Sequence, residues 1–128
     1  MTIKILVVDD SKAMRAYIRG ALASSSEYEV DEAASGFEAL RLLPRGDYDM
    51  VVTDINMPDI NGLELIRFIR KSEKHKSVPI VIISTQSSQR DEDRAVELGA
   101  NSFLPKPFQP EEIAGVVAGL APQRSSTT

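Results

Sequence analysis

The chain has 128 residues, 42% of them hydrophobic and 27% charged, with a formal net charge of −4 and no cysteine. That length suits one domain, able to bury roughly two-thirds of the surface its unfolded form exposes. The composition excludes a disulfide framework, a thiolate metal site and a cysteine nucleophile, and an acidic chain without a basic cluster argues against nucleic acid or a membrane surface as principal partner.

Apolar runs alternate with amphipathic stretches from end to end, the pattern of a doubly wound α/β domain. Ile3–Val8 (IKILVV) reads as a first buried strand and runs straight into Asp9 and Asp10. That run is too short for a signal sequence, and no segment approaches a membrane span, so a cytoplasmic protein is expected. Ser11 can cap a helix through about Ala23, with Met14, Ile18 and Leu22 at helical spacing. A modest second strand covers about 30–34, and Gly36 opens a helix carrying Phe37, Leu40 and Leu43. Pro44 and Gly46 punctuate the turn into a third strand, residues 50–53 (MVVT), which ends at Asp54. The loop 57–61 is turn-like, and Gly62 leads into a helix with Leu63, Ile66 and Ile69 inward.

The fourth strand, 79–84 (PIVIIS), is an unbroken apolar run, as an interior parallel strand requires. The next helix, about Gln89–Leu98, is largely polar, with Ala95 and Leu98 its main apolar contacts before Gly99 stops it. The fifth strand is short, 102–104, and Pro105 removes a ladder donor, which sends it to a sheet edge. The last helix, about Pro110–Leu120, presents Ile113, Val116, Val117 and Leu120 to the core. One domain over 1–121 is expected, followed by a disordered polar tail over 122–128 with no output domain.

Asp9, Asp10 and Asp54 all arrive at the C-terminal ends of strands, the edge of an open parallel sheet where ligands bind. A pair of carboxylates at about 4 Å costs roughly 1 kcal/mol in water and about 4 kcal/mol at an effective dielectric near 20. A hard divalent cation best explains such a cluster. Helix capping by Asp9 and Asp10 accounts for one of these acids but not for Asp54 at the same edge.

The segments LVVDDS, AASGFEAL, VVTDINMPDINGLELI, IIS, ELGANSF and LPKPF occur in the order and spacing of the response-regulator receiver family. The chain resembles that family from Ile3 to Leu120, and within it the stand-alone, chemotaxis-type (CheY-like) receivers. The resemblance implies a flavodoxin-like α/β fold, a five-stranded parallel sheet in the order 2-1-3-4-5 with helices on both faces. It implies Asp54 as phosphoacceptor, with Asp9, Asp10, Asp54 and the backbone carbonyl of Asn56 holding Mg²⁺ (Mn²⁺ a possible substitute). Lys106 would contact the phosphoryl group, across a cis Lys106–Pro107 bond. Ser84 would close onto the phosphoryl oxygens, its neighbour Thr85 pointing the other way. Phe103, with Ser84, would form the switch.

The function implied is that of a two-component response regulator. A sensor histidine kinase phosphorylates Asp54, and a face built from the fourth helix, fifth strand and fifth helix then binds a protein target, in motility or chemotaxis machinery or elsewhere. Neither nucleic acid nor membrane is a direct partner. The protein catalyses its own phosphorylation and slow autodephosphorylation, the latter tuned at Asn56 and Gln86, without being a turnover enzyme. A receiver used as an interaction module without phosphorylation is the alternative. A small-molecule aspartyl phosphatase fits poorly, because the first acidic pair is adjacent and no sequence is left for a cap. His75, within the charged run 70–76, reads as part of a solvated helix end. Gly115 and Gly119 read as tolerated small residues on the last helix.

Overall fold

A computed structural model of the chain describes residues 2–23, 25–85 and 89–121. The five apolar runs become strands β1 (Ile3–Val8), β2 (Tyr28–Ala33), β3 (Met50–Asp54), β4 (Ile80–Ser84) and β5 (Ser102–Pro105). All pair in parallel, in the order β2-β1-β3-β4-β5. Helices α1 (Lys12–Leu22), α2 (Gly36–Leu42), α3 (Gly62–Lys71), α4 (Gln89–Leu98) and α5 (Pro110–Leu120) make the crossovers, and a 3₁₀ turn (Leu43–Arg45) extends α2. This is the implied fold and strand order.

Strand composition follows position in the sheet. Every residue of β3 and β4 is buried, as helices on both faces demand. The sheet edges are β5, where Pro105 sits, and β2, whose side chains are mostly half-buried. Alternation splits the core in two. Ile5, Val7, Val52 and Ile83 pack with Ile18, Leu22, Ile113 and Val117 on the side of α1 and α5. Leu6, Val51, Ile80 and Ile82 pack with Leu65, Ile66, Ile69 and Ala95 on the side of α3 and α4.

Helix starts are set by side chains that satisfy otherwise unpaired N–H groups. Ser11 accepts from Met14 N–H at 3.1 Å, Ser35 from Glu38 N–H at 3.1 Å and Asn61 from Glu64 N–H at 3.0 Å. Helix α4 ends where Gly99 takes a φ of +112°, a left-handed conformation suited to glycine.

On α2, Gly36, Ala39 and Leu43 are buried and Leu40 packs against the core, whereas Phe37 is 62% exposed. One sequence expectation needs correction. His75 is not solvated: it is 2% exposed. The turn after α3 folds it against the segment leading into β3, where its Nε2 accepts the Tyr48 backbone N–H at 3.2 Å. Its Nδ1 is buried and has no hydrogen-bond partner among the described residues. Gly115 and Gly119 face open space. The expected tail over 122–128 and Gln86 lie outside the described residues.

Candidate functional site

The C-terminal ends of β1 and β3 are neighbours in the sheet, with Val8 opposite Thr53. The residues that follow must therefore meet. Asp9, Asp10 and Asp54 each offer a carboxylate oxygen, and these three oxygens lie within 4.8 Å of one another. Asp9 and Asp54 are buried and Asp10 is exposed, so the cluster opens to solvent on one side.

Asp9 is held at several atoms. Its N–H donates to the Ala33 carbonyl at 3.1 Å. Its Oδ1 accepts Ser11 N–H at 2.8 Å, and its Oδ2 accepts Lys106 Nζ at 2.9 Å. The same ammonium reaches Asp54 Oδ2 at 3.3 Å, and Asn56 N–H donates to Asp54 Oδ1 at 3.3 Å. Burial pushes the Asp54 carboxyl above its ordinary range. The Asp9 charge adds to that, while Lys106 and the Asn56 N–H oppose it. The cluster is thus held together by one buried cation among acids.

Local sequence makes this geometry possible. A side chain at Gly62 would place its Cβ 2.3 Å from the Asp54 carbonyl oxygen and 2.9 Å from Ile55 Cα. Only glycine lets the start of α3 approach the end of β3 so closely. Lys106 is anchored by its N–H to the Ser84 carbonyl at 2.7 Å, and the Lys106–Pro107 bond is cis.

The donor set is entirely oxygen, with two carboxylates buried and one open to solvent. That suits a hard cation that keeps several waters, such as Mg²⁺, and offers no nitrogen or sulfur to a softer metal.

The sequence profile described as "Response regulator receiver domain" matches residues 5–118. The chain belongs to the response-regulator receiver family.

Among curated relatives, this receiver is 38% identical over 109 residues to a chemotaxis protein CheY homolog of Campylobacter jejuni, a match covering 84% of both chains. It is equally similar to chemotaxis protein CheY1 of Helicobacter pylori, over 84% of this chain and 88% of the relative. The solved structure of chemotaxis response regulator CheY4 of Vibrio cholerae superposes with a TM-score of 0.87 at 32% identity, covering 94% of this chain and 99% of that one. Receivers of this kind serve two-component signalling through phosphorylation, and this chain is a signalling protein of that class. Among the described residues, no helix is long and apolar enough to cross a membrane.

The remaining expected residues of the receiver lie on the neighbouring strands β4 and β5. Ser84 is buried at the last position of β4, beside Ile83, the partner of Asp54. Thr85 follows and is exposed. Alternation puts Ser84 on the sheet face of Ile80 and Ile82, the face on which Phe103 packs half-buried. Phe103 is paired with Ile82, and Ser84 with Pro105. Asp9, Asp10, Asp54 and Lys106 are thus brought together directly, with Asn56 bonded to Asp54 through its N–H, while Ser84 follows the strand partner of Asp54 and Phe103 lies on β5 opposite Ile82.

Three supporting residues carried no signal in the sequence reading. Arg15 donates from Nη1 to the Asp9 carbonyl at 2.7 Å. Tyr17 donates its hydroxyl to the Phe108 carbonyl at 2.6 Å and tilts its ring against Phe108, centroids 5.8 Å apart. Asp59 accepts the Gly36 and Phe37 N–H groups at 3.2 and 2.9 Å, tying the loop after Asp54 to α2. An arginine and a tyrosine in the first turns of an amphipathic helix look like any surface positions. Only the fold shows what they reach.

Proposed function

We propose that this receiver takes a phosphoryl group onto Asp54 from the phosphohistidine of a sensor histidine kinase. The phosphorylated form then engages a protein target through the face of α4, β5 and α5. The observation that carries this reading is the Lys106 ammonium, which spans Asp9 at 2.9 Å and Asp54 at 3.3 Å inside an acidic cluster.

An Asp54 carboxylate oxygen attacks phosphorus, the phosphorus–nitrogen bond to the kinase imidazole breaks, and the imidazole nitrogen leaves with the bonding pair. Asp54 becomes an acyl phosphate. Asp9 and Asp10, with Asp54 and the Asn56 carbonyl, would hold Mg²⁺, which supplies positive charge to the phosphoryl oxygens. Lys106, already bonded to Asp54 Oδ2, exchanges that contact for a phosphoryl oxygen. The Ser84 hydroxyl donates to another, and charge-assisted bonds of this kind are the strong ones.

The new anion biases a two-state element. Drawing Ser84 toward the phosphoryl group changes the space on its sheet face, where Phe103 lies half-buried. Helix α4 is the mobile partner, because Ala95 is its sole fully buried side chain among the described residues. Slow hydrolysis of the acyl phosphate resets the switch, so the chemistry is self-directed rather than that of a turnover enzyme. Residues 1–121 form the receiver unit, acting in the cytoplasm on a target in chemotaxis or motility machinery. The acidic surface favours a protein partner over nucleic acid or membrane.

Amide NMR spectra with Mg²⁺, before and after beryllofluoride, test this reading. Shifts at Asp54, Ser84 and Lys106, continuing into α4, β5 and α5, are expected. Shifts confined to the pocket, or their survival in Asp54→Asn, would contradict it.

A further inference from the structure

Arg15 lies in α1, its side chain 13% exposed, and it grips in two directions. Nη1 donates to the Asp9 carbonyl at 2.7 Å, and Nε donates to Glu32 Oε1 on β2 at 2.9 Å. The other oxygen of Glu32 accepts Arg19 Nε at 2.7 Å, while Arg19 Nη2 donates to the Val30 carbonyl at 3.0 Å. Glu32 therefore aligns two arginines, but only one of them reaches the acidic cluster. These arginine bonds hold the Glu32 carboxyl below its usual range.

The bond to the Asp9 carbonyl matters for Asp10. The Asp9 side chain is fixed by Ser11 and Lys106. The Asp10 side chain is exposed and makes no hydrogen bond or ion pair among the described residues. Its direction is set by the Asp9–Asp10 peptide, and the side chain gripping that peptide is Arg15. If the peptide rotates, the Asp10 carboxylate leaves the cluster.

We propose that Arg15, aligned by Glu32, is a positioning residue for the divalent cation: it locks the Asp9–Asp10 peptide so that both carboxylates converge with Asp54 on one ion. This rests on the Mg²⁺ reading of the acidic cluster. The guanidinium fork is what permits two bonds at fixed angles, which a lysine ammonium cannot reproduce. Outer partners of metal ligands typically carry about tenfold to a hundredfold in metal affinity.

Mn²⁺ binding to the unphosphorylated full chain, read from the EPR signal of the free ion with Mg²⁺ in competition, tests the proposal. Arg15→Met is expected to weaken Mg²⁺ by about tenfold or more. Arg15→Lys keeps the charge and should still lose several-fold, and Glu32→Gln should lose less than Arg15→Met. Arg19→Met shares the same glutamate but touches Val30, so it should lower the melting temperature while leaving the dissociation constant at the wild-type value. Melting in EDTA separates the structural contribution of each variant. Wild-type affinity in folded Arg15→Lys and Glu32→Gln overturns the proposal, as does an Arg19→Met loss equal to that of Arg15→Met. A wild type that binds neither ion would overturn the metal reading itself, and this proposal with it.

Discussion

Replacing Asp54 with asparagine should abolish signalling chemistry and yet stabilise the fold in the absence of divalent cations. Asp54 is 6% exposed and its oxygen lies within 4.8 Å of one from Asp9. At an effective dielectric near 20 that repulsion is at least about 3.5 kcal/mol, against about 5 kcal/mol of attraction from Lys106 at 3.3 Å. The Coulomb terms nearly cancel once the screened charge of Asp10 is added, which leaves desolvation to decide the sign. Burial raises the Asp54 pKa. Between the ordinary carboxylate value and the raised one, the folded state holds more protons than the unfolded state. Stability is therefore lost as pH rises through that window, and the cost is complete only above the raised value. The neutral amide of the Asp54→Asn variant would carry no such cost, and Lys106 would keep Asp9 at 2.9 Å. The expected gain is about 1–2 kcal/mol, or roughly 4–7 °C in Tm for a chain of this size. Urea unfolding in EDTA at pH 7.5 and nearer pH 4 measures it. The gain should shrink as pH falls. A less stable variant at pH 7.5, or a gain independent of pH, would refute the reasoning.

Other outcomes follow from the same geometry. Saturating Mg²⁺ at about a hundred times its dissociation constant should stabilise the wild type by about 2.7 kcal/mol, and Asp54→Asn by less; melting curves with and without the ion check this. Gly62→Ala would drive a methyl group into the Asp54 carbonyl, costing about 1–3 kcal/mol in urea unfolding and slowing phosphorylation. Burial and the Lys74 charge lower the His75 pKa, so its contribution to stability is complete above about pH 6.5 and is lost as pH falls through the lowered folded value. His75→Phe should cost about 1–3 kcal/mol at pH 8 by orphaning the Tyr48 N–H. Its stability should also vary less between pH 8 and pH 5; a wild-type pH slope in the variant would contradict this.

The parts of the fold most legible in the sequence were those with purely local causes. The apolar runs of β1, β3 and β4, broken only by Lys4, read as buried strands, and Pro105 pointed to a sheet edge. Acids at the ends of β1 and β3 were legible as one site because the C-terminal ends of parallel strands share an edge. Lys106 was different: a lysine before Pro107 and Phe108 has no local signature, and its place in the pocket came from the family resemblance. His75 was misread because its neighbours are charged, whereas its burial depends on Tyr48, 27 positions away. The exposure of Phe37 was not legible either, since the packing of α2 selects Gly36 and Ala39 as inward residues. Arg15 was invisible for the same reason as His75, its value lying in contacts that only the sheet order creates.

The central claim is that Asp54 is the atom-level acceptor of phosphate. Intact mass after incubation with a small acyl phosphate donor and Mg²⁺ tests it most directly. A single phosphoryl adduct on the wild type that disappears with EDTA, and is missing from Asp54→Asn, is the predicted result. An unmodified wild type, or an adduct that forms equally well on Asp54→Asn, would contradict the account.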